Sequence, residues 1–266
     1  MMARCSASDI DPTRLAGDGQ KKGGRRPPLT LASRLSGVRV RWHSGWMDES
    51  RHPRYCDNEG SRFYRAGRLS PQETWQVLGD EMGRVLDDAE RAFWRKPLRM
   101  DPERVRWWHG AIFARPFPQD GGRFRRERAF FGVVMPAGGM HQLEGSSPET
   151  LRRDLEVLCV SFNRCVDAFS DSAAPELMDC TRAAGALYAC ILRVHPFADG
   201  NHRTSFVALS SALWSFGLPN VRFVDDAEMI AHDDAVTGAL LSDAGDVEPF
   251  ARLLAERIEG GRKDPT

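Results

Sequence analysis

The 266-residue sequence has no uninterrupted apolar run near the roughly 18–20 residues that a membrane-spanning helix needs, and its N-terminus lacks the apolar core of a signal peptide. Both absences predict a cytoplasmic protein with no membrane partner. There is no C-x-x-C pair. The six cysteines (Cys5, Cys56, Cys159, Cys165, Cys180, Cys190) are scattered, the last four within apolar, helix-patterned segments, which predicts buried thiols rather than disulfides or a zinc site. Net charge is also lacking, since 37 Lys+Arg offset 37 Asp+Glu, and this argues against nucleic acid as the main partner. Lysine is scarce, 4 against 33 arginines, and no internal repeat or heptad register is present. With 41% apolar and 28% charged residues, what remains is an ordinary globular protein of one large or two small domains.

The zero net charge hides an asymmetry. Residues 1–45 hold nine basic and three acidic residues, whereas 225–250 hold eight acidic residues and no Lys or Arg. Residues 1–29, rich in glycine and proline around Lys21, Lys22, Arg25 and Arg26, carry too little apolar surface to offset their ordering entropy and read as a disordered basic arm. Residues 30–68 form an arginine-rich extension without a clean period. Residues 69–260 read as one helical domain, and 261–266 as a tail.

Helix signals dominate that domain. Ser70-Pro71-Gln72-Glu73 is a capping box, followed by Trp75, Leu78, Met82, Val85, Ala89 and Phe93 on one face. Asp101-Pro102 opens a second helix bearing Val105, Trp108 and Ile112, which Pro116 and Pro118 stop. Ser147-Pro148 opens a third, with Leu151, Leu155, Leu158, Phe162, Val166 and Phe169 in a single stripe. A fourth runs from about Pro175 to Val194. A fifth, from about Asn201 to Phe216, is apolar nearly all round, the mark of a central buried helix. Two more follow, one after Asp225 and one with Asp246 as N-cap. Only Ala129–Met135, bounded by Pro136 and Gly138-Gly139, looks extended, and a short hairpin fits there.

Between the fourth and fifth helices stands His195-Pro196-Phe197-Ala198-Asp199-Gly200-Asn201-His202-Arg203. Pro196 and Gly200 prevent a continuous helix, so this loop delivers the chain to the N-terminus of the buried helix, where unpaired N–H groups and the dipole favour an anion. Gly200 would let a phosphate approach the backbone. Arg203, in the first turn, runs against the dipole preference unless an anionic ligand reverses that effect. Asp199 is a hard oxygen donor suited to Mg²⁺ when phosphates supply the other ligands. His195, with an ordinary pKa near roughly 6.5, is the natural acceptor of a hydroxyl proton. Each residue taken singly reads as structural. Nine of them at the mouth of one apolar helix read as a site.

The stretch resembles the signature of the Fic/Doc (Fido-fold) family, H-x-F-x-[D/E]-G-N-[G/K]-R, at every position except His202. Trp107–Phe113 and Gly122-Arg123-Phe124-Arg125 are similar to the family's preceding helix and G-x-x-R turn. Residues 127–141 resemble its target-docking flap, and Gly245–Phe250 its closing helix. The resemblance covers roughly residues 104–258. It implies a mainly α, Fido-type helical bundle around a central buried helix, with one short β-hairpin flap. It further implies His195 as general base for a hydroxyl on a target protein, Asp199 as the Mg²⁺ ligand, and Gly200, Asn201, His202 and Arg203 around the phosphates of ATP. Phe197 would anchor the loop. Phe130, Phe131, Gly132, Val133 and Val134 of the flap would hold the target's extended segment by strand addition. The implied reaction is transfer of AMP to a target protein's hydroxyl side chain.

The departures bear on which group moves. His202 replaces the usual glycine, and Phe206 stands where a second phosphate-binding arginine is expected. Doc-type members, which transfer the terminal phosphate and act as toxins, have lysine at the first position and lack the second arginine, so phosphate transfer stays open beside AMP transfer. A degenerate, non-catalytic nucleotide- or peptide-binding domain is a third reading. The family's self-inhibitory [S/T]-x-x-x-E-[G/N] segment is missing: Glu59, Glu144 and Glu259 precede glycine, but Tyr55, Met140 and Ala255 occupy the Ser/Thr position. Restraint would then come from an inhibitory partner protein or the N-terminal extension.

Overall fold

Periodic apolar stripes become buried helix faces in the structure, a computed structural model that describes residues 71–95, 99–135, 138–170, 175–221, 223, 226–242 and 245–263. The expected basic arm and the extension lie outside the described residues. Seven helices are described: α1 (Pro71–Arg95), α2 (Pro102–Phe113), α3 (Leu151–Ser170), α4 (Leu177–Val194), α5 (Asn201–Ser215), α6 (Asp226–Leu241) and α7 (Glu248–Lys263). Strands β1 (Phe130–Val134) and β2 (Met140–Glu144) lie between α2 and α3. The fold is mainly α with one small hairpin, as expected.

The hub is α5, buried at every residue from Thr204 to Trp214. Its small residues, Ser205, Ala208, Ser211 and Ala212, lie among large ones, and α1, α2 and α4 pack around it. Leu78, Met82, Val85 and Ala89 of α1 and Val105, Trp108 and Ile112 of α2 are buried as their spacing predicts. A Leu- or Phe-sized side chain gains about 1.5–3 kcal/mol from such burial, which is why the stripes outweigh local propensity. The α4 helix also packs on α7, and α7 on α6.

Helix ends follow local chemistry. Asp101 caps α2 by accepting from Arg104 N–H at 2.7 Å. The α3 helix starts at Leu151, later than Ser147-Pro148 suggests, because residues 148–150 form a turn in which the Ser147 carbonyl accepts from the N–H groups of Thr150 and Leu151. Asp246 accepts from Glu248 N–H at 3.0 Å at the start of α7, which runs to Lys263, past the expected domain end at 260. Cys159, Cys165 and Cys180 are free and buried, and burial pushes the Cys159 and Cys180 thiols up to about 12, which leaves them inert.

The hairpin is antiparallel, pairing Phe131 with Leu143 and Val133 with His141, so these residues share a face. Val133 and Leu143 on that face are buried, while Phe130 is 54% exposed on the other. The second strand ends at Glu144, three residues beyond the extent that the resemblance implies for the flap.

Candidate active site

Helix α4 ends with His195 in the left-handed region (φ 52°, ψ 59°), its N–H donating to the Ile191 carbonyl at 3.0 Å. Glycine or asparagine usually takes this position, and a side chain there costs roughly 1–2 kcal/mol. His195 is the one non-glycine residue with positive φ among the described residues. Such strain persists only where neighbours over-determine it.

The neighbour that does so is Arg125, buried in the turn before the hairpin. Its Nε donates to the His195 carbonyl at 2.6 Å, and its terminal nitrogens reach the carbonyls of Glu127 (2.5 Å), Val194 (3.3 Å) and Ser146. Its backbone N–H donates to the Pro196 carbonyl at 3.0 Å. One guanidinium thus ties both ends of the hairpin to the histidine turn. Burial lowers its pKa and Glu144 opposes the shift, but a guanidinium stays charged throughout the working range.

The His195 ring stacks on Phe131 of β1, centroids 4.2 Å apart and planes 7° from parallel. Its Nδ1 is buried without a well-formed hydrogen bond. Burial pushes the pKa down to about 4; the Leu192 carbonyl opposes this, while His202 and Arg125 add to it. His195 is therefore neutral near pH 7.

The loop beyond it is built on rings. Phe197, fully buried, stacks on His109 of α2 (3.8 Å between centroids) and on Phe124 (5.5 Å). His109 Nδ1 accepts from Gly122 N–H at 2.9 Å, so its proton sits on Nε2, which donates to the Asp199 carbonyl at 3.1 Å. One neutral imidazole thus fixes both the turn before Arg125 and the backbone of Asp199. Burial holds His109 at about 4, opposed by that same bond to Asp199. A depressed histidine contributes stability that is whole above its unfolded pKa near 6.5 and lost as pH falls to about 4. For His109 the loss approaches about 3 kcal/mol. Urea midpoints measured at pH 7.5 and 4.5 should show this acid fall, and His109→Gln should shrink it, leaving the share that His195 contributes.

Asn201 is buried with its amide turned inward: Oδ1 accepts from Phe197 N–H and Nδ2 donates to the Phe197 carbonyl, each at 3.0 Å. Whatever it offers a phosphate is its backbone N–H. Gly200, the N-cap of α5 at φ 75°, has no side-chain cap, and a Cβ there would lie 2.3 Å from the Phe113 ring. The absent side chain makes room for Phe113, not only for a ligand. Asp199, half-buried, accepts from Gly200 N–H at 2.5 Å.

His195, Ala198 and Asp199 line a hollow of about 660 Å³ together with Phe124, Ala129 and Phe130. His195 and Asp199 therefore share a wall with the start of the hairpin. Gly200, Asn201, His202 and Arg203 do not line this hollow; they form the first turn of α5 and its cap. His202 is exposed there, its Nδ1 3.3 Å from the Tyr188 hydroxyl. Surrounding protein, then His232, hold the pKa of its ring below the ordinary value; Asp233 opposes this and Arg203 adds to it. Behind it His232 Nδ1 lies 3.1 Å from Asp233 Oδ1. Phe206 is 4% exposed and part of the core. No cluster of three or more His, Cys, Asp or Glu side chains that could hold a metal exists among the described residues. A lone carboxylate fits only a cation that draws its other ligands from a substrate.

A family model described as "Fic/DOC family" matches residues 99–213. Among curated proteins, the "Protein adenylyltransferase Fic" of Culex quinquefasciatus is 26% identical over 151 residues, covering 57% of this chain and 26% of that protein. Its counterpart in Drosophila melanogaster is 28% identical with the same coverage. The chain spans about a quarter of the length of the curated relatives it matches. Among solved structures, a Fic-domain-containing signaling protein from Bacteroides thetaiotaomicron aligns with a TM-score of 0.51 at 16% identity, over 70% of this chain and 68% of that one. A fragment of Fic-1 from C. elegans gives 0.52 at 18% identity, over 71% and 50%.

Proposed function

Because the chain carries a Fic/Doc domain over residues 99–213, we propose that it is a transferase that moves AMP from ATP onto a hydroxyl side chain of a target protein. The observation that carries this reading is the meeting of His195 and Asp199 on the wall of a hollow beside the uncapped end of α5. His195 Nε2 takes the proton of the incoming hydroxyl. The freed oxygen bonds to the α-phosphorus, and the bond from that phosphorus to the pyrophosphate oxygen breaks. The backbone N–H groups of the first turn of α5, with Arg203, hold the phosphates against the helix dipole. Asp199 would hold Mg²⁺, which in such sites neutralises phosphate charge and takes phosphate oxygens as its remaining ligands.

The test is intact-mass analysis of candidate target proteins, and of the protein itself, after incubation with ATP and Mg²⁺, with His195→Ala as control. An increment of AMP size that depends on His195 is expected. No adduct on any protein would remove the reading. Tight calorimetric binding of nucleotide with no turnover would instead mark a domain that binds without catalysis.

His202 tests which phosphorus is attacked. It stands exposed in the first turn, and Phe206 is committed to the core, so no second guanidinium arises from that position. His202→Gly should enrich AMP transfer and His202→Lys terminal-phosphate transfer, read from the two mass increments. Identical product distributions would show that this residue does not set the nucleotide's orientation.

A further inference from the structure

The hollow beside His195 is lined by Arg106 of α2, by Arg123, Arg126 and Arg128 before β1, and by Arg152 in the first turn of α3. All five are exposed. Of the residues that line the hollow, six are arginines, counting the buried Arg125, and three are carboxylates, Asp120, Glu127 and Asp199. Glu103 is shared by Arg106 (2.5 Å) and Arg152 (2.8 Å), and Glu144 answers Arg128 (Nε to Oε1, 2.6 Å). Asp120 and Glu127 also line the hollow. Arg123 and Arg126 make no side-chain ion pair or hydrogen bond among the described residues. Arg152 sits where the dipole of α3 disfavours a cation, an effect that an anion beside it reverses.

The hollow touches the reaction machinery through His195 and Asp199, and the residues around the phosphate-binding turn of α5 are absent from its walls. Asp199 marks where it would meet the phosphates; apart from His195, Ala198 and Asp199 its walls come from α2, the segment before β1, β1 and α3, which leaves them to the acceptor. It also runs along Ala129 and Phe130, where β1 carries β2 on one edge and, among the described residues, pairs with no strand on the other, the edge an incoming strand would use.

We propose that the acceptor is an acidic polypeptide segment, with Asp or Glu side chains next to the modified hydroxyl that meet Arg123 and Arg126. This rests on the transferase reading for the hydroxyl, and on the groove alone for the charge. A polypeptide fits better than an oligonucleotide for two reasons. A strand edge supplies main-chain pairing that only a polypeptide can use. Asp120 and Glu127 interrupt the positive track that a phosphate backbone needs. The exposed Phe130, with the Arg128 guanidinium 5.7 Å from its ring centroid, adds an apolar contact for a flanking side chain.

The experiment is fluorescence anisotropy on the full chain without nucleotide, using peptides of about a dozen residues with a central serine flanked by acidic, neutral or basic residues. The acidic peptide should bind at least about tenfold more tightly than the neutral one, and the difference should shrink as salt rises from about 0.05 to 0.5 M. The double variant Arg123→Glu/Arg126→Glu should invert the preference towards the basic peptide. Equal affinities for the three peptides in the unmodified protein overturn the inference, as does a single-stranded oligonucleotide that displaces the acidic peptide at lower concentration than the peptide itself. The peptide and salt series on the unmodified protein decides the matter even where the double variant does not fold. Binding is read without turnover, so an absence of transfer in the mass assay counts against the proposed reaction, and an absence of charge preference counts against this inference.

Discussion

Replacing His195 with alanine is expected to lower transfer by about 10²–10⁴-fold, the range that a positioned general base contributes, with the loss in kcat. The pH profile carries more information than the loss itself. A base works when it is neutral, and burial between the hairpin and α4 holds His195 at about 4. Turnover should therefore hold from about pH 8 down to about 5 and fall only as the pH approaches 4. An ordinary histidine would lose half its activity near 6.5. Protonation disables the base, so the falling limb is on the acid side. The geometric cause is partly the Phe131 ring lying parallel over the imidazole. Phe131→Ala should let water in and move the midpoint up towards 6.5. An unchanged midpoint in that variant would show that the stack does not set the pKa.

Helices and the loop over residues 195–203 are legible in the sequence for different reasons. Helices declare themselves through spacing: the α3 stripe from Leu151 to Phe169 is buried because a 3.6-residue period places those residues on one side. The hairpin declared itself through Gly138 and Gly139, both at positive φ in the structure. His195 and Asp199 stood out because unusual residue types crowd a helix mouth, and the structure brings both to one hollow. What spacing cannot show is contact between distant segments. His109 looks like one polar residue in an apolar helix, and nothing local reveals that it bonds to Gly122 and Asp199 at once. Arg125 is one of 33 arginines; the resemblance marks it as the last residue of a G-x-x-R turn, but only the fold shows which carbonyls it holds. The resemblance implies target docking for Phe131; its ring also rests on His195, a contact that depends on where the hairpin folds back. Gly200 was read for a ligand's approach, and the Phe113 ring behind it is a second, purely internal reason for a glycine. Its left-handed φ of 75° allows the same conclusion without any ligand.

Arg125→Ala should be the most damaging single change outside residues 195–203, because four acceptors lose one donor group together. The carbonyls of Glu127, Ser146, Val194 and His195 all turn towards that guanidinium. A buried acceptor left unsatisfied costs about 1–3 kcal/mol, and even with water replacing some of the bonds the sum should exceed about 3 kcal/mol. At roughly 2–4 °C per kcal/mol for a domain of this size, thermal denaturation should drop by about 10 °C. Transfer should fall further than stability accounts for, since the left-handed turn at His195 loses what holds it. Arg125→Met keeps the bulk and removes the buried charge, yet it leaves the carbonyls of Glu127, Ser146 and His195 without that donor, Val194 alone keeping the Ser146 N–H at 3.1 Å, so it should be no more stable than the alanine variant. Arg125→Lys restores a charge and up to three donors, but from a single point, and a compact ammonium cannot span carbonyls that a planar fork reaches from separate nitrogens. It should recover part of the melting temperature and little of kcat. That split separates a residue that positions the base from one that merely fills space, for which lysine and methionine would restore activity in proportion to stability. If Arg125→Lys regains transfer in step with its melting temperature, the clamp is structural packing alone, and the strain at His195 has some other support.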